Sequence, residues 1–326
     1  MRIGIIGQGF VGTAVNEGLK QYHKIETYDI AKASTCKSLE ELVEASDVIF
    51  VCLPTPMKSN GSCHIGIVED TLLGLDTINK CKTIVVKSTV PPGTTEMWNK
   101  KFKNIQIVFN PEFLTEANSI EDFKNQNRII IGGPRPATTK VKRVFAKAFP
   151  KVPIIKTGST TAEMVKYFLN CFLATKVSFA NEMYEICEAL NIDYDKVTEY
   201  AIYDERLGKS HLNVPGPDGD FGYGGHCFPK DVNALRSLAW SLGCSPRMLE
   251  STDSKNNFNG DIYNVGNGKS YSINEIADMF GGKKQYGNKV IEPFETLAET
   301  AKIDLDLNFQ PKKDLRQWIS TYTEQN

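Results

Sequence analysis

The chain reads as α/β: a mostly parallel sheet over residues 1–157, a long unbroken helix opening a helical segment over 158–257, and a small α+β tail over 258–326. Three observations predict this. Short apolar runs alternate with stretches of helical periodicity from residue 2 to about 131, the pattern of strands buried on both faces by helices. Residues 160–190 contain neither Gly nor Pro, a length that suits a spine joining two domains. Residues 214–225 (VPGPDGDFGYGG) can only be a loop.

In chain order, 2–7 is an apolar run followed by Gly7, Gly9 and Gly12 and a helical stretch to about Lys20. Residues 24–28 read as a second strand ending at Asp29, and 38–45 as a helix. Residues 47–53 (DVIFVCL) form a buried strand that stops at Pro54-Thr55-Pro56, because two prolines cannot sit in a central ladder. A helix near 66–79, a strand at 83–87 and further strands at 105–109 and 128–131 follow. Beyond the spine, 195–206 and 230–242 read as helices and 250–261 as a helix end and linker. In the tail, a Gly/Asn turn precedes helices at about 272–279 and 312–323.

With 326 residues and 41% apolar composition, the chain has material for two domains and a small third. The 38 basic and 39 acidic residues leave a net charge of -1, which gives no electrostatic reason to expect nucleic acid or a membrane surface as partner. No run of 18 apolar residues occurs and the first strand pattern begins at once, so neither a membrane-spanning helix nor a signal peptide is expected. The eight cysteines form no CxxC pair and the four histidines no HExxH, so reduced thiols, a cytoplasmic location and no metal are expected.

Gly7-x-Gly9-x-x-Gly12 follows a strand and opens a helix, the context in which such glycines let backbone approach a pyrophosphate at free helix N–H groups. Asp29 at the end of the next strand would accept hydrogen bonds from ribose hydroxyls and repel a 2′-phosphate, favouring NAD over NADP. Pro54-Thr55-Pro56 and Lys87-Ser88-Thr89-Val90-Pro91-Pro92-Gly93 end two more strands and face the same crevice. Thr89 there either holds a water or hydroxyl, or caps a helix.

Gly224-Gly225-His226-Cys227-Phe228-Pro229-Lys230-Asp231 sets a thiol among glycines with a cation and a carboxylate beside it. A nearby Lys lowers a thiol pKa and makes a nucleophile, while a cysteine by itself is more often buried and inert. His226 adjoins Cys227, but neighbouring side chains on extended backbone point apart. Residues 110–117 (NPEFLTEA) could place Glu112 and Glu116 in the cleft. On the spine, Glu163, Lys166 and Asn170 share a face that is otherwise apolar. Such polar groups mark either a ligand site or a solvated face.

Together these residues resemble the UDP-glucose/GDP-mannose 6-dehydrogenase family, and within it the UDP-glucose 6-dehydrogenases. The matching stretches are GQGFVG at 7–12, PTP at 54–56, KSTVPPG at 87–93, NPEFLTE at 110–116, NRIIIGG at 127–133, AEMVKYFLNCFLATKVSFANE at 162–182, DERLG at 204–208 and FGYGGHCFPKD at 221–231, so the likeness covers about 1–257. The resemblance implies a Rossmann-like NAD domain, a homodimer built on the long helix, and removal of two hydrides from C6 of a nucleotide sugar by two NAD in succession. It makes Cys227 the thiol that carries a thiohemiacetal and then a thioester. Lys166 and Asn170 stabilise the C6 oxyanion, Asp231 works as acid–base partner through a water, and Thr89 holds that water. Glu116 orients water for thioester hydrolysis and Glu112 organises the cleft. On the cofactor side stand Gly7, Gly9, Phe10, Val11, Gly12 and Asp29, with Pro54, Thr55, Thr89, Glu116 and Lys230 across the crevice. The sugar is lined by Phe113, Leu114 and Thr115, with Lys166 and Asn170, and by Gly222, Gly224 and Gly225. Phe221 packs near the base, and Arg206 contacts either a dimer partner's ligand or only the fold.

Family members normally continue beyond this point into a third domain that closes over the nucleotide. Here 262–276 (IYNVGNGKSYSINEI) and 307–319 (LNFQPKKDLRQWI) resemble instead the end of extended short-chain nucleotide-sugar epimerases. The tail is expected to lie near the nucleotide, or to cap the spine. Two other readings stay open. One is a single-step hydroxyacid-type dehydrogenase that needs no thiol. The other is a protein that holds a nucleotide sugar without turnover.

Overall fold

The computed structural model describes residues 1–78 and 80–260; the readings of the tail at 262–326 lie outside them. Met1–Asn259 form one compact unit. Its centre is a seven-stranded sheet of order β2-β1-β3-β4-β5-β6-β7. The strands are β1 (Arg2–Ile6), β2 (Lys24–Tyr28), β3 (Val48–Val51), β4 (Lys82–Val86), β5 (Ile105–Phe109), β6 (Ile129–Gly132) and β7 (Ile154–Thr157). All neighbours pair in parallel except β5 and β6, which meet antiparallel at Phe109 and Gly132.

The continuous apolar runs follow from burial on both faces. Side chains alternate along each strand, so Ile49 and Val51 join one core with Leu72, Trp98 and Ile107, while Val48 and Phe50 join the other with Leu19, Val108 and Phe145. Helices α1 (Phe10–Leu19), α2 (Leu39–Ala45), α3 (Gly66–Thr77), α4 (Thr94–Lys101), α5 (Ser119–Lys124) and α6 (Ala137–Ala148) supply these cores. The chain leaves β1 outward to β2 and returns on the other side to β3, which puts the reversal of strand order, and hence a ligand crevice, at the carboxyl ends of β1 and β3.

The spine is α7 (Ser159–Leu190), 32 residues and roughly 48 Å long at 1.5 Å per residue. It ends at Asn191, whose φ of 54° is the left-handed turn that stops a helix. Then come α8 (Tyr194–Ala201), α9 (Phe228–Ser241) and α10 (Arg247–Gly260). Two segments and four elements differ from the sequence reading. The helix expected over 195–206 stops at Ala201. The stretch read as helix end and linker, 250–261, is helical from Arg247 to Gly260. Helices α4, α5 and α6 and strand β7 fill segments the reading leaves unassigned. Among the described residues, no helix is long and apolar enough to cross a membrane, and no three metal-ligating side chains converge.

Candidate active site

The turn after β1 is built by close backbone approach. A Cβ on Gly12 would lie 1.9 Å from the Gly7 carbonyl oxygen, and one on Gly7, whose φ is 91°, would lie 2.4 Å from the Cys52 carbonyl oxygen. Gly9 is the opposite case: nothing lies within 4 Å of where its Cβ would point. Gly9 caps α1 without a side-chain hydrogen bond, so the first N–H groups, those of Phe10, Val11 and Gly12, have no partner within the helix. That cradle fits a pyrophosphate. Asp29 accepts from the backbone N–H groups of Gln8 (2.6 Å), Ala31 (2.8 Å) and Lys32 (3.0 Å). Partial burial opposes its charge, but these donors outweigh burial and hold the carboxyl below its ordinary value. A carboxylate has about four acceptor sites, so capacity is left for a ribose hydroxyl.

Across the crevice Pro54 is exposed and Thr55 buried. The Thr55 hydroxyl donates to the Thr89 carbonyl at 2.8 Å and ties the two strand ends together. Thr89 caps no helix, because α4 starts at Thr94 with Gly93 as its cap.

The chemical cluster assembles from three elements. Helix α9 starts at Cys227, its N-cap, with Pro229 in the first turn and the Asp231 N–H donating to the Cys227 carbonyl at 2.9 Å. This places the thiol at the helix mouth and turns Asp231 inward, 1% exposed. Helix α7 contributes Lys166 and Asn170, 3% and 7% exposed, which rules out a solvated face. Asn170 Nδ2 donates to Asp231 Oδ2 at 2.6 Å, Lys230 pairs with Asp231 Oδ1, and the Cys171 thiol donates to the Asp231 carbonyl at 3.7 Å. The loop after β5 contributes Glu112, whose Oε1 is 2.8 Å from Lys166 Nζ and whose Oε2 accepts from the Leu114 N–H at 2.8 Å. Phe113 stacks beneath cations, 4.3 Å from the Arg128 guanidinium and 5.8 Å from Lys166 Nζ.

The Cys227 thiol feels all four charges. Burial raises its pKa most, Glu112 and Asp231 raise it further, and Lys166 and Lys230 pull it down without prevailing. The expectation that a nearby Lys leaves a lowered thiol is therefore corrected: two ammoniums offset by two carboxylates cannot overcome desolvation. Burial also opposes the charge of Glu112, but Lys166 holds that carboxyl below its usual range. Lys230 is raised, burial losing to Asp231.

Other expected residues lie elsewhere. Glu163 is fully buried, but it accepts from Gly93 N (2.7 Å) and Thr95 N (2.8 Å) and so binds the start of α4 to the spine. Glu116 and Thr115 are exposed, and Thr115 donates through both its N–H and its hydroxyl to Asp122. Arg206 is exposed and paired with Asp204, two residues away. Phe221 is 45% exposed against Tyr184. Gly224, Gly225 and His226 are exposed, while Gly222 is pinned through its N–H to Asn181 Oδ1 at 3.0 Å. Asn181, and Asn256, which accepts from Tyr223 N at 2.5 Å, hold the glycine loop and escaped the sequence reading. A buried Asn on the apolar side of the spine was the available signal for Asn181. Lys87, buried at the end of β4, was likewise passed over.

Comparison with known proteins agrees with this geometry. Residues 23–149 match the NAD binding domain, and residues 160–258 the central domain, of the UDP-glucose/GDP-mannose dehydrogenase family. The chain is 36% identical over 217 residues to UDP-glucose 6-dehydrogenase TuaD of Bacillus subtilis, covering 64% of this chain and 46% of that protein. It is 30% identical over 299 residues to UDP-glucose 6-dehydrogenase AglM of Haloferax volcanii, covering 77% of this chain and 68% of that one. Among solved structures it superposes on a UDP-glucose dehydrogenase from the hyperthermophilic archaeon Pyrobaculum islandicum with a TM-score of 0.72 at 29% identity, over 79% of this chain and 68% of that one. The chain thus spans between about half and two thirds of the length of such relatives (46% and 68%). Asp29, Thr55 and Glu112 lie among the residues matched to the NAD binding domain, and Lys166, Asn170 and Cys227 among those matched to the central domain, so the chain belongs to the UDP-glucose/GDP-mannose dehydrogenase family.

Proposed function

We propose that the chain is an NAD-dependent nucleotide-sugar 6-dehydrogenase, with UDP-glucose as substrate and a uronate as product. The observation that carries this reading is the cluster of buried Lys166, Glu112, Asn170 and Asp231 with half-buried Cys227 and Lys230. Gly7–Gly12 and Asp29 would hold NAD, which would supply the hydride acceptor for each of two oxidations at the substrate carbon. The chain's residues supply the rest. Asp231 removes the C6 hydroxyl proton through a water, and Lys166 and Asn170 donate to the oxygen as charge develops. The Cys227 sulfur adds to the aldehyde carbon, its proton passing to the former carbonyl oxygen as the C–S bond forms and the C=O π bond breaks, and so retains the thiohemiacetal. Loss of the hydroxyl proton and a second hydride leaves a thioester, and water, held by Thr89, cleaves its C–S bond to yield carboxylate and free thiol. The residues of 1–157 serve as NAD domain and 158–257 as central domain.

Met164, Phe168, Phe172, Phe179 and Ile186 leave an apolar stripe exposed along α7, and a second copy of the chain covers it in the homodimer of this reading. The raised thiol pKa is the one observation that favours a single oxidation without covalent capture. NADH-to-sugar stoichiometry with UDP-glucose separates the two: the proposal requires two NADH per sugar in the wild type and no uronate from Cys227→Ala. One NADH per sugar in both would establish the single-step reaction, and no NADH with UDP-glucose, GDP-mannose or N-acetyl sugars a protein that only binds.

A further inference from the structure

The chain reaches Cys227 through residues 214–225, which hold five glycines, three of them at positive φ: Gly219 (85°), Gly222 (80°) and Gly225 (73°). Such a backbone has little conformational preference of its own. Gly224, Gly225 and His226 are exposed, and a Cβ on Gly225 would meet nothing within 4 Å. Just before them, Tyr223 is fixed. It is 6% exposed, and its ring lies edge-on to that of Phe228 with the centroids 6.2 Å apart. Its hydroxyl has no hydrogen-bond partner among the described residues, so its polar anchorage is through the backbone. The Tyr223 N–H donates to Asn256 Oδ1 at 2.5 Å, beside the bond from the Gly222 N–H to Asn181 Oδ1 at 3.0 Å. Asn256 is itself aimed by buried contacts one turn earlier in α10. The Thr252 hydroxyl lies 2.9 Å from that of Thr175, and its carbonyl accepts from the Ser178 hydroxyl at 3.1 Å, both on α7. Asp253 pairs with Arg236 and accepts from Asn233 Nδ2 at 3.2 Å, both on α9. Residues 252, 253 and 256 share one helix face.

We propose that Asn256 is a positioning residue for the Cys227 thiol: it holds Tyr223 against Phe228, the residue that follows Cys227, and so fixes where the glycine loop delivers the sulfur. The coupling runs through contacts. On the helix side, the Cys227 carbonyl accepts from the Asp231 N–H at 2.9 Å. On the loop side, the packing of Tyr223 on Phe228 closes the chain around Gly224, Gly225, His226 and Cys227, and Asn256 sits at the foot of that closure. Without the Asn256 oxygen the Tyr223 N–H is left buried and unpaired, a penalty relieved as the backbone at 223 turns towards water and takes the loop with it. Cys227 is half-buried, and burial is the first cause of its raised pKa. A looser loop therefore both uncovers the thiol and eases its ionisation.

The inference rests on Cys227 being the nucleophile, but its test reads the thiol and not turnover. Iodoacetamide alkylation of the full-length wild type, Asn256→Ala and Asn256→Asp is followed at each cysteine peptide by mass spectrometry. The expected result is Cys227 labelling about threefold or more faster in Asn256→Ala than in the wild type. In Asn256→Asp a carboxylate oxygen accepts from the same N–H, and Cys227 should label no faster than in the wild type. The buried Cys171 and Cys187 should stay slow in all three proteins, and the exposed Cys81 and Cys244 should label alike. A merely structural role would loosen the core and speed Cys171 and Cys187 together with Cys227, and that result overturns the proposal. So does wild-type labelling of Cys227 in a folded Asn256→Ala, or labelling in Asn256→Asp as fast as in Asn256→Ala. If Asn256→Ala does not fold, Asn256→Ser, whose shorter side chain stops short of the Tyr223 N–H, takes its place with the same expectation and the same refutation. Faster Cys227 labelling in a variant whose wild type forms no NADH would remove the dehydrogenase reading and leave this inference standing. Two NADH per sugar with unmoved labelling would do the reverse.

Discussion

Replacing Gly9 by alanine adds a methyl group to open space, on a backbone with φ −70° and ψ −171° that any residue adopts. Gly12→Ala places the same methyl 1.9 Å from the Gly7 carbonyl oxygen and 3.0 Å from its carbon. Ordinary contact begins near 3.4 Å, so the turn would have to open by more than an ångström, pulling on the Gly7 N–H bond to the Tyr28 carbonyl (3.0 Å). Overpacking costs ~1–3 kcal/mol, and rigid backbone as the obstacle puts Gly12→Ala at the upper end. Gly9→Ala should stay within ~1 kcal/mol of wild type, with any change a gain through a less disordered unfolded chain. Binding should rank the other way, because the Gly9 methyl stands where a pyrophosphate meets the α1 N–H groups. A loss of tenfold or more in NAD affinity, about 1.4 kcal/mol, is expected from Gly9→Ala. Urea unfolding gives the stabilities and fluorescence titration the affinities. Wild-type NAD affinity in Gly9→Ala, or wild-type stability in Gly12→Ala, would refute the reasoning.

Three further outcomes follow from the same geometry. Asp29 should favour NAD over NADP by repelling a 2′-phosphate, and Asp29→Ala should narrow the gap; equal wild-type affinities for both cofactors would contradict this. Burial lifts Glu163 to about 7 from its ordinary 4.5, so its folded form holds a proton that the unfolded chain has lost. Its contribution is full below pH 4.5 and disappears as pH rises through 7, roughly 3 kcal/mol in all, so Glu163→Gln should gain on wild type by that order between pH 5 and 8, and a pH-independent difference would sink the claim. Light scattering at micromolar concentration should give about twice the chain mass and Phe168→Glu with Phe172→Glu should halve it; a monomeric wild type would leave the α7 stripe unexplained.

What was legible followed from burial by apolar side chains. Strands β1, β3 and β4 are covered on both faces and so read as unbroken apolar runs. The edge strand β7 has half-exposed ends and an exposed middle, and α5 has only six residues, so neither carries a full period. Helix α4 buries Thr94, Thr95 and Trp98, two of them polar, which leaves almost no amphipathic signal. Helix α6 was readable, with Val141, Val144, Phe145 and Ala148 on one face. Helix α10 reads as a linker because polar contacts hold it: Thr252 meets Thr175 and Ser178, and Asp253 meets Arg236.

At the site, Lys166 and Asn170 were conspicuous because polar groups on an apolar stripe need partners. Glu163 was conspicuous for the same reason, yet its partners are the free N–H groups of α4, which spacing along α7 cannot reveal. The direction of the Cys227 shift was illegible for a related reason. It is set first by a degree of burial that no local motif encodes, and then by charges such as Glu112, which arrives from a loop more than a hundred residues earlier in the chain.

The central claim is covalent capture at Cys227. It is tested most directly by intact-mass and peptide mass spectrometry of the protein quenched during turnover with UDP-glucose and NAD. The account predicts a sugar-nucleotide adduct on the Cys227 peptide, absent without NAD and absent in Cys227→Ala. Turnover to uronate with Cys227 unmodified at every quench time, or uronate formation by Cys227→Ala, would contradict it.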